Sequence, residues 1–91
     1  MAQIRWLGHA GFKISFPDKD HPDTIRNIYI DAWLDNPEIP ADIKGTVPDD
    51  ADLILCTHGH FDHCGSAPDI QKKSKHAHCK IMVNYEIGHY F

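Results

Sequence analysis

Residues 53–65 read LILCTHGHFDHCG, so His58, His60, Asp62 and His63 form an H-x-H-x-D-H pattern directly behind an apolar run of Leu53, Ile54, Leu55 and Cys56. Imidazole nitrogens and a carboxylate oxygen are the donors that bind zinc, manganese or iron. While the segment stays extended, residues two apart project the same way and His63 projects elsewhere, so the four donors need not crowd one ion. Gly59 and Gly65 permit tight backbone paths around them. An exposed polar loop is the bland alternative. The density of donor types, and a hydrophobic strand that sets where the loop begins, weigh against it. One chemistry such donors support is hydrolysis: a bound divalent ion lowers the pKa of a water, and the resulting hydroxide attacks an ester, lactone or phosphodiester, with Asp62 expected as a ligand and as the catalytic proton acceptor.

The elements that must position this stretch follow from hydrophobic period. QIRWLGH and FKISF alternate apolar with polar residues around a short turn at Gly8–Gly11, which predicts an antiparallel hairpin with Trp6 and Phe12 in the core. IRNIYID (Ile25–Asp31) is a third strand, completing a meander. Residues 33–50 carry three prolines and no sustained period, which predicts a long loop bordering a pocket. ADLILC (Ala51–Cys56) is apolar at consecutive positions, as in a parallel strand covered on both faces. Ser66 and Asp69 then read as a capping-box-like start for a short helix over PDIQKKSKH. CKIMVN (Cys79–Asn84) is the next strand, with Asn84 placed to cap a helix opening YEIGHYF. The order predicts an α/β fold, a mixed sheet built from a β-meander followed by a β-α-β unit.

Composition narrows the function classes. The 91 residues carry 42% hydrophobic and 24% charged residues with a formal charge of −4, and no run is long enough to span a membrane. The basic residues cluster only in QKKSK, so nucleic acid is not an expected partner. Three cysteines, an odd count, and an N-terminus without a signal-peptide layout fit reduced thiols and a cytoplasmic location. Five of the eight histidines lie outside the motif. His21, His76 and His78 read as solvated, and Cys64 as packed.

The stretch LILCTHGHFDHCG resembles the signature of the metallo-β-lactamase superfamily. IRWLGHAGFKI followed by IYIDAWL is similar to the opening of its lactonase-like branch, and KIMVNYEIGHYF to the strand and helix behind the signature. The resemblance spans essentially the whole chain and implies the N-terminal half of an αββα fold, from a metal-dependent hydrolase of small-molecule substrates. It implies that His58 and His60 ligate one metal while Asp62 and His63 ligate a second, zinc foremost, with manganese or iron as alternatives. It also implies that Asp31 orients the metal loop from behind, and it places His9 at the pocket. On the residues alone, His9 is equally well read as a hydrogen-bonded turn histidine.

Members of that family are longer, and they complete the site with further histidines and a bridging aspartate. His76, His78 and His89 fall too early in the chain to be those ligands. Residues 1–91 are therefore expected to be the N-terminal part of one truncated domain, inactive alone and covered by its missing C-terminal half or by a second copy. Two other readings stand beside the hydrolase. One is a non-catalytic fragment that binds or assembles. The other is a small structural zinc module built from Cys56, Cys64, His76, His78 and Cys79, whose spacings match no common finger.

Overall fold

The computed structural model describes residues 2–57 and 61–83, without the side chains of Phe61 and Asp62. Strands β1 (Gln3–Trp6) and β2 (Phe12–Pro17) form the expected hairpin, in the register Ile4 opposite Ile14 and Trp6 opposite Phe12. Its turn is closed by Leu7 N–H donating to Gly11 O at 2.8 Å and Gly11 N–H to Gly8 O at 3.0 Å. Strand β3 (Ile25–Ile30) pairs antiparallel with β2, which completes the meander.

The chain then crosses residues 31–52 and returns as β4 (Leu53–Leu55), parallel to β3. Two short helices, α1 (Phe61–Cys64) and α2 (Ala67–Lys73), lead to β5 (Lys80–Met82), parallel to β4. The result is one mixed five-stranded sheet in the order β1-β2-β3-β4-β5. Sequential strands lie side by side throughout, as short connections favour.

The core forms on one face of this sheet. Tyr29 and Ile54 point into it and meet Ala67 and Ile70 of α2, with Leu34, Ile43 and Val47 of the long connection packed around them. Ile54 and Ile70 are fully buried. Each contributes roughly 1.5–3 kcal/mol relative to an exposed side chain. A seven-residue helix is not stable by itself, so this packing and not intrinsic propensity holds α2 in place.

Four expectations need correction. Trp6 and Phe12 are not core: they are 48% and 38% exposed. The register aligns Ile4, Trp6, Phe12, Ile14, Ile28, Ile30, Leu53, Leu55 and Met82 on the face opposite α2, and no described element covers that face. For the same reason β4 is sealed on one side only, with Ile54 buried while Leu53 and Leu55 are half-buried. Ser66 sits at the N-cap of α2 but makes no side-chain capping bond. Its hydroxyl instead accepts from Leu34 N–H at 2.9 Å, tying the long connection to the helix. The strand expected over Cys79–Asn84 is shorter, and the helix expected from Asn84 lies outside the described residues.

Candidate metal centre

Directly after strand β3 comes Asp31, which is buried and holds a left-handed backbone (φ 47°). Asp and Asn are the side-chain-bearing residues that tolerate this conformation best. The turn lets the Asp31 carboxylate reach the end of β4: Oδ1 accepts from Thr57 N–H at 2.8 Å and Oδ2 from the Thr57 hydroxyl at 2.6 Å. Asp31 N–H in turn donates to Leu55 O at 2.9 Å. Thr57, the residue immediately before the H-x-H stretch, is thus held at two atoms, its N–H and its hydroxyl. Thr57 was not singled out from the sequence, although a hydroxyl residue directly ahead of the motif was there to see.

The same carboxylate meets the motif from the other side. Asp31 Oδ2 lies 3.2 Å from His63 Nδ1 of α1. The His63 ring makes an edge contact with His9, centroids 5.6 Å apart, and His9 makes another with Trp33 at 5.4 Å. His9 occupies the hairpin turn with φ 53°, where its carbonyl accepts from Trp6 Nε1 at 2.8 Å. Asp31, His63 and His9, far apart in sequence, are brought together at the C-terminal end of β4. His58 and His60 lie outside the described residues. Asp62 is in the first turn of α1, and its side chain is likewise outside the description.

Asn36 is a second residue the sequence reading passed over. Buried in the long connection, its amide donates to Leu7 O at 3.1 Å and its Oδ1 accepts from Glu38 N–H at 2.8 Å. It fastens residues 33–38 to the hairpin turn that carries His9. The same connection borders a cavity of about 60 Å³ lined by Leu7, Tyr29, Leu34, Ile43, Thr46 and Pro48, as well as Arg5 and Lys13. The expected pocket exists, but none of its lining residues belongs to the motif.

Cys56, Cys64 and Cys79 are all buried, and none is in a disulfide. Burial, then the neighbouring Cys64 and Asp31, push the Cys56 thiol up to about 12, and burial also raises that of Cys79. Both thiols are held protonated at neutral pH. Among the described residues no cysteine joins His76 and His78 in a group able to hold a metal; these two histidines meet Asp52 instead. The cysteine-based zinc module therefore finds no support in the described geometry.

Residues 26–91 match the family model described as the Beta-lactamase superfamily domain. Among curated proteins the chain is 37% identical over 87 residues to a UPF0173 metal-dependent hydrolase of Anaeromyxobacter dehalogenans, which covers 94% of this chain and 28% of that protein. Proteins of the same name are 37% identical in Aeropyrum pernix, over 97% of this chain and 32% of theirs, and 42% identical in Myxococcus xanthus, over 93% and 26%. The chain thus spans about a third or less of the length of these relatives. No helix among the described residues is long and apolar enough to cross a membrane.

Proposed function

Because the chain belongs to the beta-lactamase superfamily, we propose that it supplies the first part of the active site of a metal-dependent hydrolase acting on a small ester, lactone or phosphodiester. The observation that carries this reading is the Asp31 carboxylate, which binds Thr57 through both oxygens and reaches His63 Nδ1. A carboxylate beside one ring nitrogen, with the other turned to the metal, is the arrangement typical of metal-bound histidine, and the 3.2 Å approach of Asp31 to Nδ1 supports it here. The donor set therefore fits divalent ions. His58 and His60 would hold one, Asp62 and His63 the other, with zinc first and manganese or iron accepted by the same donors.

When bound, two such ions would lower the pKa of a water and neutralise the charge that develops on the carbonyl or phosphoryl oxygen as its carbon or phosphorus is attacked. The chain's own part is to hold and orient. Asp31 lies 3.2 Å from His63 Nδ1 and pins Thr57, so the loop leaves β4 in a set direction. Asp62 takes up a proton as the reaction proceeds, and His9 walls the site beside Trp33. Two protein donors per ion fall short of the three a catalytic zinc ordinarily takes, so the remaining ligands come from further chain. The three reduced thiols fit a reducing compartment, and we assign the protein to the cytoplasm. In the full-length protein, chelation is expected to abolish turnover on a panel of lactones, carboxylate esters and phosphodiesters, and zinc, manganese or iron to restore it. Turnover that survives complete metal removal would overturn the assignment.

The apolar sheet face favours a companion reading, that residues 1–91 are one part of a single domain. Ile4 at 70%, Met82 at 60% and Trp6 at 48% exposure lie on one continuous surface, and monomeric proteins rarely leave so much apolar area to water. The remainder of the domain, or a second copy, would cover it. Expressed alone, residues 1–91 are expected to associate or to lack cooperative unfolding, and to hydrolyse nothing above background. A cooperative, active monomer by light scattering and thermal melting would contradict this.

A further inference from the structure

We propose that Asp52, His76 and His78 form a second cation site for zinc or a similar nitrogen-seeking divalent metal, at the end of β4 opposite the candidate metal centre. Each residue offers one donor atom, and the three atoms lie within 4.8 Å of one another. His78 Nε2 is 2.7 Å from Asp52 Oδ1 and His76 Nε2 is 3.9 Å from the same oxygen. Donors about 2.0–2.1 Å from a tetrahedral zinc are about 3.3 Å apart. The two observed separations straddle that value, so small rotations of two rings are enough to seat the ion.

The parts are held in place before any ion arrives. Asp52 Oδ2 accepts from Asn27 N–H at 2.8 Å, and Asp52 N–H donates to Asn27 O at 2.9 Å, which leaves Oδ1 facing the histidines. The turn carrying His76 and His78 is tied down by Ser74, whose hydroxyl donates to Ala51 O at 2.6 Å and accepts from His76 N–H at 3.1 Å. Cys79 N–H closes the turn onto His76 O at 3.1 Å. The two rings stack with centroids 5.1 Å apart, and the side chains are 22% and 56% exposed. The expectation of exposure holds for His78 and fails for His76, which is half-buried, and both face one carboxylate.

Arg26 is the competitor for that carboxylate, with Nη1 3.1 Å from Asp52 Oδ1. The guanidinium is separately anchored by Nε donating to Asp18 Oδ2 at 2.8 Å, so an ion can displace the Nη1 contact without releasing Arg26. Asp52 and Thr57 bracket β4, and five residues of strand span roughly 17 Å. The two centres cannot share an ion. The ion's effect would be to clip the turn between α2 and β5 onto the start of β4, closing the parallel pair at the end the candidate centre leaves open.

The test measures bound zinc in the full-length protein, dialysed against buffered zinc, together with the zinc-induced rise in thermal midpoint. His76→Ala and His78→Ala are each expected to lose one equivalent and part of that rise. His21→Ala, which alters an exposed histidine outside the cluster, is expected to lose neither. Cobalt added in place of zinc should give absorption that both variants reduce. Unchanged metal content in either variant, or an equal loss in His21→Ala, would overturn the site. His78 is exposed and its removal leaves the core intact, so a folded variant is available even if Asp52 substitutions are not tolerated.

Discussion

Alanine at His58 or His60 is expected to remove an equivalent of metal and most hydrolysis from the full-length protein, whereas alanine at Asp31 is expected to weaken both without abolishing either. The difference follows from the roles proposed for these side chains, His58 and His60 as direct donors and Asp31 as their support. Losing a direct donor leaves a site one ligand short, while Asp31 acts through two bonds to Thr57 and a 3.2 Å contact with His63 Nδ1. Removing an orienting partner of this kind costs about 10–100-fold in affinity or activity. Alanine at residue 31 also loses the residue type suited to φ 47°, so Asp31→Asn is the cleaner variant. Asparagine tolerates the backbone and can still accept from Thr57 N–H, but it cannot accept from both Thr57 groups and offers His63 no charge. It should fall between wild type and alanine. Elemental analysis and turnover decide: undiminished metal in both histidine variants, or intact affinity and rate in both Asp31 variants, would remove the basis for the assigned roles.

Gly8→Ala is expected to destabilise the protein by about 3 kcal/mol. Gly8 has φ 88°, and a Cβ there would lie 2.3 Å from Asn36 Oδ1, 2.6 Å from Glu38 O and 2.7 Å from Glu38 C. The left-handed backbone alone costs an L-residue about 1–2 kcal/mol. Relief of the clash would require residues 36–38 to move, breaking the buried bonds of Asn36 to Leu7 O and from Glu38 N–H, at about 1–3 kcal/mol for groups left unpaired. Alanine recovers only about 0.4–1 kcal/mol by restricting the unfolded chain, so the net sign is clear. The denaturation midpoint in urea should fall, and turnover should fall with it because His9 follows Gly8 in the same turn. A midpoint equal to wild type would show that residues 33–38 are not clamped to the hairpin at all.

The hairpin, the third strand, the parallel strand–helix–strand unit and the position of the motif at a strand end were all legible in the chain itself. Each depends on residues close in sequence: alternation in FKISF, the unbroken run in ADLILC, Gly8 at a turn that needs positive φ. A period of two states that a strand's faces differ, however, and not what lies against them. Trp6 and Phe12 are exposed because α2 and the long connection took the other face of the sheet, a choice made by packing between segments. Ser66 was legible as a cap residue, yet its hydroxyl accepts from Leu34 N–H, a partner 32 residues away that no local pattern marks. Side chains separated by 24 residues or more, such as Asp31 with His63 or Asp52 with His76, carry no shared local pattern. Only the parallel pairing of β3, β4 and β5, which aligns the ends of three strands, sets Asp31, Thr57 and His63 together at one end of the sheet and Asp52, His76 and His78 at the other.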